Sequence, residues 1–462
     1  MRVVLSISKH YLILSTLNKY FLARNKRMAS VFANNYLEVI GFLIRALIPT
    51  LVPSLPYNVS FVEVTTPLSS FKSLQEAFYY FRHNINLYDG GVNHHTPILV
   101  VLLNFLNELP YSYILFNFLY ASIDLWIVKR LSQLNKWYST RDSKQPNKNP
   151  TAAFPDYLFA CFYLFNPLVI ITNWSHSTLI FSNFFLVEAI YQVSIANSQT
   201  RAMIALAIAS YLSYTPVFMV IPILTLGYSI LKEQQQKSDT STTPPFARII
   251  QSLGIFIVSI GLLFLLSFTM TSSWQFIDSC FLSIITFKKI SPNVGLWWYF
   301  FTEMFVFFNP FFVGVFNLFS VIFIIPLTIR FSGNSMISDP FLSVVLCYLW
   351  LIFTKSYPTV GDLGFLLAFI PIFRSSFLPY CKFGGITSLV LLGTLTLSPI
   401  FYYCWIVLGN GNSNFFYSLN LVWGGVHGMI LIDLIWGKLT YDYMNENEVP
   451  KEVQKKLRLT QI

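Results

Sequence analysis

The stretch YSYILFNFLYASIDLWIV, residues 111–128, decides what kind of fold this chain adopts. It is eighteen residues long and carries a single charge, Asp124. An apolar run of about 20 residues crosses a ~30 Å hydrocarbon core as a helix. Helix is the form expected there, because lipid offers no partner to backbone N–H and C=O groups. The bases that follow, Lys129, Arg130, Lys136, Arg141, Lys144 and Lys148, read as a cytosolic loop by the positive-inside rule.

Working outward, similar runs recur. Residues 36–52 form the first good span, with Glu38 near one end and Arg45 within. The positive-inside rule puts the basic N-terminus in the cytosol with the basic loop after 128, and two spans lie between them, so the long, less apolar stretch 53–110 is expected in the lumen or outside the cell. Downstream spans are expected near 155–171, 178–195, 202–214, 215–231, 248–270, 311–329, 341–354, 361–374, 384–407 and 415–437, with a second lumenal piece at 272–308. Pro216 marks one turn. The polar loop KEQQQKSDTSTTPP, residues 232–245, is expected in the cytosol. The fold class is therefore all-α: a polytopic membrane protein of about twelve transmembrane helices, with one membrane domain over 36–437. Residues 1–35 read as a basic cytosolic arm, or as an over-long gene model if Met28 is the true start. Residues 438–462 read as a cytosolic tail, so both termini are cytosolic.

Composition agrees. The 462 residues are 55% hydrophobic and 11% charged, against about 25% charged in soluble domains. Mean hydropathy is +0.58. The net charge of +10 suggests nucleic acid in a soluble protein, but here the bases cluster in loops, and membrane topology accounts for them. Lys288, Lys289 and Lys355 are exceptions on the lumenal side, where an anionic group or simple snorkelling would explain them. The five cysteines are scattered with no CxxC, which is neither a disulfide framework nor a zinc pattern.

In YDGGVNHHTPILVVLLNFL, residues 88–106, Asp89, His94 and His95 invite a metal or proton-relay reading. Adjacent histidines point apart and the spacing fits no zinc site. A glycine turn before a helix that starts at Pro97 is the better reading. SLQEAFYYFRHNINLY, residues 73–88, spaces Leu74, Ala77, Phe78 and Phe81 as one helical face and suits an interfacial helix. Asn58 and Asn173 head lumenal sequons. Cys280 is the one thiol near the lumenal side, and nothing in the sequence pairs it with a histidine. No catalytic residue, metal site or cofactor is expected. Three loops fall on one side: ISPNVGLWWYFFTEMF with Asn293, TKSYPTVGDLG with Tyr357 and Asp362, and GNGNSNFFY with Asn412 and Asn414. Together they suggest a polar rim over an apolar cavity, although helix capping alone explains many such residues.

These loops also carry a resemblance. TTPLSSFKSLQEAFYYFRHNINLYDGGVNHHTPILV, SPNVGLWWYFFTEMF, FFVGVFNLFSVIFIIPLTIR, KSYPTVGDLGFLLAF and NSNFFYSLNLVW resemble, in order, segments of the PIG-U family, a membrane subunit of the GPI transamidase. The likeness runs from about residue 36 to 436. PIG-U in turn is similar to the multi-spanning GT-C glycosyltransferases, so a GT-C-like architecture with lumenal loop helices is implied. Those enzymes carry an acidic DxD-type motif in the first lumenal loop, where this chain has FVEVTTPLSS with Glu63 alone.

The resemblance implies a non-catalytic subunit in the endoplasmic reticulum membrane. The catalytic thiol then lies on a caspase-like partner subunit. The ligands implied are the GPI lipid and the C-terminal signal peptide of the proprotein. Asn412 and Asn414 are the first candidates for polar lipid contacts, followed by Asp362, Tyr357 and Asn293. The rival readings are a dolichol-phosphate-mannose-dependent mannosyltransferase using Glu63, and a transporter or scramblase, for which no inverted repeat is evident.

Overall fold

The computed structural model describes residues 36–142, 154–237, 245–333 and 338–447, and among these the chain is helical with no strand. The N-terminal arm, most of the segment 139–150, the middle of the loop 232–245 and the tail beyond 447 lie outside the described residues.

Five described helices are long and apolar enough to cross a membrane: Thr215–Gln235, Phe246–Thr271, Val306–Ser332, Gly384–Ile406 and Ser413–Glu446. A sixth results if the bent pair Asp156–Leu164 and Pro167–Trp174 counts as one span. That is fewer than the expected twelve, and the reasons are local. The expected span 155–171 breaks where Asn166 caps a new helix: its Oδ1 accepts from Leu168 N at 3.0 Å, Pro167 takes the first helical position, and the axis bends by 52°. Proline suits that position because its missing N–H would be unsatisfied anyway. The expected span 361–374 is a short helix, Val360–Leu367, followed by a 3₁₀ segment, Ile370–Ser375, with Pro371 at its start. Pro340–Thr354 is only 15 residues long and buried at every position but Phe353. It is a core helix, hydrophobic all round because it is surrounded by protein.

The helix that opens at 112 corrects the expected loop after residue 128. Ser112–Asp142 runs for 31 residues, so Lys129, Arg130, Lys136 and Arg141 stand on a continued helix and not in a loop. They clamp neighbouring elements: Arg130 Nε meets Glu188 at 2.8 Å, Lys136 meets Asp156 at 2.6 Å, and Arg141 pairs with Glu233. The Arg130 guanidinium also lies 3.7 Å over the Tyr191 ring, a favourable cation–π geometry.

Deeper in the bundle Arg45, on the helix at 36–51, is fully buried. Its Nε donates to Asp124 at 2.6 Å and its Nη1 donates to the Leu164 carbonyl at 2.8 Å. Asp124 also accepts from Tyr163 Oη at 2.7 Å and Asn173 Nδ2 at 2.9 Å. A buried ion pair survives in such surroundings only when further hydrogen bonds satisfy it. The same geometry removes one sequon, because Asn173 is buried and donates to Asp124 and the Tyr120 carbonyl, whereas Asn58 is exposed.

The amphipathic helix is Phe71–Arg82, capped by Ser70. It buries Phe71, Leu74, Ala77 and Phe78, while Phe81 is exposed. The buried stripe therefore sits one turn earlier than the spacing suggested.

Candidate functional site

The first long loop is stitched into the bundle at Glu63. Its carbonyl accepts from Val360 N at 2.8 Å, and its carboxylate accepts from Ser398 Oγ at 2.7 Å. Ser398 lies within Gly384–Ile406, one residue before the internal Pro399. Glu63 is buried, and burial pushes its carboxyl pKa up, since desolvation disfavours the charged form.

Val360 opens a short helix whose entry is a reciprocal capping box. Asp362 Oδ2 accepts from Thr359 N at 2.8 Å and from Thr359 Oγ1 at 3.1 Å. Its other oxygen meets Lys355 Nζ at 2.9 Å. Two residues past Lys355, Tyr357 donates its hydroxyl to the Lys289 carbonyl at 2.5 Å. Asn293 closes the same junction: Nδ2 donates to the Ser291 and Ser356 carbonyls at 3.1 and 3.4 Å, and Oδ1 accepts from Gly295 N at 2.7 Å. Gly295 is required here, because a Cβ would lie 2.7 Å from Pro358 Cδ. From the last helix, Asn420 Nδ2 donates to the Asn293 carbonyl at 2.6 Å.

Beneath this lattice lies an aromatic cluster of Phe287, Trp297, Trp298, Phe301, Tyr357 and Phe416. Trp298 stacks on Trp405 at 5.7 Å, and Tyr299 stacks on Tyr417 at 4.4 Å. Tyr299 also donates its hydroxyl to Asn414 Oδ1. Asn412 caps the last helix, its Oδ1 accepting from Asn414 N at 3.1 Å and Phe415 N at 3.3 Å.

The structure thus brings the three polar loops together and divides the five candidate residues. Asn293, Tyr357 and Asp362 are buried and bonded within the chain, whereas Asn412 and Asn414 are exposed. Lys288, Lys289 and Lys355 each have an internal partner: Asp278, the Gly91 carbonyl and Asp362.

The two adjacent histidines point to different elements. His95 Nε2 meets Ser73 Oγ at 2.9 Å, while His94 Nδ1 meets the Ser279 carbonyl at 2.8 Å. Burial lowers both, His95 to about 4. Asp89 is exposed. Cys280 is buried, its thiol pushed up to about 12 by desolvation and donating to the His95 carbonyl at 3.3 Å. A thiol so protonated is a poor nucleophile. It borders a small polar cavity of about 50 Å³ with Thr96, Thr178 and Ser356. Among the described residues no group of three or more His, Cys, Asp or Glu side chains could hold a metal ion.

Sequence reasoning missed Ser398 and Asn420, which tie the rim to the last two helices. Both were visible as polar residues inside apolar spans, the usual mark of a partner within the bundle. Their partners, 335 and 127 residues away, were not.

These features define an all-helical protein of membrane type, with a polar rim backed by aromatic side chains. A model of the family PIG-U, GPI transamidase subunit PIG-U, matches residues 39–423. The chain is 37% identical over 420 residues to the GPI transamidase component GAB1 of Saccharomyces cerevisiae, covering 91% of this chain and 96% of that one. It is 28% identical over 396 residues to the human GPI-anchor transamidase component PIGU, covering 83% and 88% respectively. The chain belongs to the PIG-U family of GPI transamidase subunits. Nothing in these matches supports the mannosyltransferase alternative.

Proposed function

We propose that this chain is a non-catalytic subunit of the transamidase that receives the GPI lipid at its polar rim, with the signal peptide of the proprotein approaching over the same surface. The observation that carries this reading is the gathering of three polar loops over one aromatic cluster, with Asn412 and Asn414 left exposed beside Tyr299. Amphipathic ligands need such a boundary, apolar below and hydrogen-bonding above. Asp362, Tyr357 and Asn293 hold the loops in place, and the two exposed asparagines make the polar contacts. Acyl chains lie along the outward faces of Val306–Ser332 and Gly384–Ile406, which are largely unburied.

In this reading the protein is a multi-pass resident of the endoplasmic reticulum membrane. Shorter and broken helices bring the total toward twelve crossings in a GT-C-like arrangement over 36–437. The rim is lumenal and both termini are cytosolic. The catalytic thiol belongs to a caspase-like partner, which fits the buried, protonated state of Cys280.

Depletion of this chain in its own cells tests the reading. Complete GPI lipid and uncleaved anchor precursors should accumulate together. An under-mannosylated GPI intermediate would instead mean a working transferase. Replacing Asn412 and Asn414 together by alanine should reduce GPI attachment several-fold while the complex still assembles. Normal attachment in that variant would remove both residues from the site.

A further inference from the structure

Several distant segments meet at the small polar cavity beside Cys280. They are the first long loop at Thr66 and Ser69, the loop at His94 and Thr96, the helix entry at Thr178, and the loop 355–359 that carries Tyr357. Dry cavities in proteins are apolar, whereas hydroxyl groups crowd this wall. Three of its residues also carry a buried polar atom with no hydrogen-bond partner: His94 Nε2, Thr96 Oγ1 and Ser356 Oγ. Thr96 and Ser356 are only 3% and 1% exposed. Their neighbours Tyr211 and Tyr214 close no hydrogen bond of proper length and angle to them. A buried polar atom left without a partner bears the full loss of its hydration. Three of them around one cavity call for an occupant.

The histidine defines its chemistry. His94 Nδ1 lies 2.8 Å from the Ser279 carbonyl. A carbonyl oxygen only accepts, so Nδ1 carries the ring proton. Burial lowers the pKa and keeps the ring neutral, which leaves Nε2 as a bare acceptor. The occupant must donate a hydrogen bond to it. An anion is disfavoured, because the cation in the wall, Lys355, is already paired with Asp362 at 2.9 Å, and a buried charge without a partner is costly. Size narrows the choice further. The cavity measures about 50 Å³. A bound water needs roughly 10–15 Å³ of such space, so about three to five waters fit. A sugar ring has more than twice as many heavy atoms as that cluster and is too large.

We propose that this cavity binds a cluster of about three to five waters, one donating to His94 Nε2 and others bonding the Thr96 and Ser356 hydroxyls, and that the cluster ties the loop 355–359 to the first long loop. A buried water makes about three hydrogen bonds, so a few of them bridge side chains that do not reach one another. The cluster adds to the direct bond between Val360 N and the Glu63 carbonyl. The inference does not depend on what the rim binds.

The test is a map of the intact transamidase complex at a resolution that shows ordered water. Separate peaks should fill the cavity, one within hydrogen-bond distance of His94 Nε2. The double variant Thr96→Val with Ser356→Ala then removes two anchors with little change of shape. Around a hydrated cavity it should lose the peaks beside these side chains and unfold a few degrees lower. Around a dry one it removes two unsatisfied groups and should unfold at the same or a higher temperature. The map decides alone if the variant fails to assemble. An unfolding temperature that holds or rises, a cavity without peaks, or one connected density of a phosphate or an organic group would each overturn the proposal.

Discussion

Asn412 does two jobs that can be separated chemically. Its Oδ1 caps the last helix, while its amide nitrogen is free to face a ligand from an exposed position. Alanine removes both, and loss of the cap alone costs about 1 kcal/mol. Asp keeps the acceptor and replaces the amide donor by a negative charge. If the amide contacts a phosphate-bearing lipid, Asn412→Asp should assemble normally and still attach GPI several-fold less well. Full attachment in Asn412→Asp would leave the residue as a cap and nothing more. Glu63 is the converse case. Its carboxylate accepts a hydrogen bond from Ser398, and an amide oxygen can accept the same bond. Glu63→Gln should retain GPI attachment within about twofold, since it also removes the cost of burying a charge. A complete loss of attachment would revive a catalytic role for this acid. At this scale the sequence showed which loops are polar, and the structure brings three of them into contact. The sequence could not separate exposed Asn414 from buried Asn293, since both sit in loops rich in glycine, asparagine and serine and burial depends on what packs above them.

At the scale of elements, the joint between the helix at 36–51 and Ser112–Asp142 rests on a charged pair that has left water. Asp124 serves Arg45, Tyr163 and Asn173 at once. Breaking a buried pair by removing one partner typically costs 3–5 kcal/mol. Asp124→Ala should therefore destabilise the protein by about that much, read as lower yield and a lower unfolding temperature of the complex. A double variant, Arg45→Met with Asp124→Leu, should recover much of the loss, because it leaves no uncompensated charge. The apolar runs were legible from the sequence, and Gly384–Ile406 and Ser413–Glu446 begin within two residues of expectation. Two kinds of feature were not. Pro167 and Pro371 divide runs that read as continuous, and the bases after 128 extend a helix that hydropathy alone would stop. In that second case the helix persists because its charges find Glu188, Asp156 and Glu233 on other elements, which no local pattern reveals.

For the molecule as a whole, buried histidine sets a limit on acid tolerance. His95 is neutral in the folded protein, with its pKa lowered from 6.5 to about 4 by burial. In the unfolded chain it takes up a proton below about 6.5, so the unfolded state binds more protons and gains stability as the pH falls. Above that value the ring makes no pH-dependent contribution. Between about 6.5 and 4 it removes up to about 3 kcal/mol of stability at roughly 1.4 kcal/mol per pH unit. The unfolding temperature of the complex should fall over this window, and His95→Gln should make the fall shallower, the remainder coming from His94 and His176, which burial lowers in the same way. An equal slope in both would show that other groups control it.

The bond between Ser398 and Glu63 has a consequence for how the protein is made. Its partners are 335 residues apart, and the contact between Asn420 and Asn293 spans another 127. Chains emerge from the ribosome N-terminus first. The first long loop therefore cannot complete this contact until nearly the whole polypeptide has been translated. A chain cut short before Gly384 can place many of its helices correctly and still leave Glu63 without Ser398. The finished rim, with its Ser398–Glu63 and Asn420–Asn293 bonds, is therefore absent from every truncated product that lacks the last two helices.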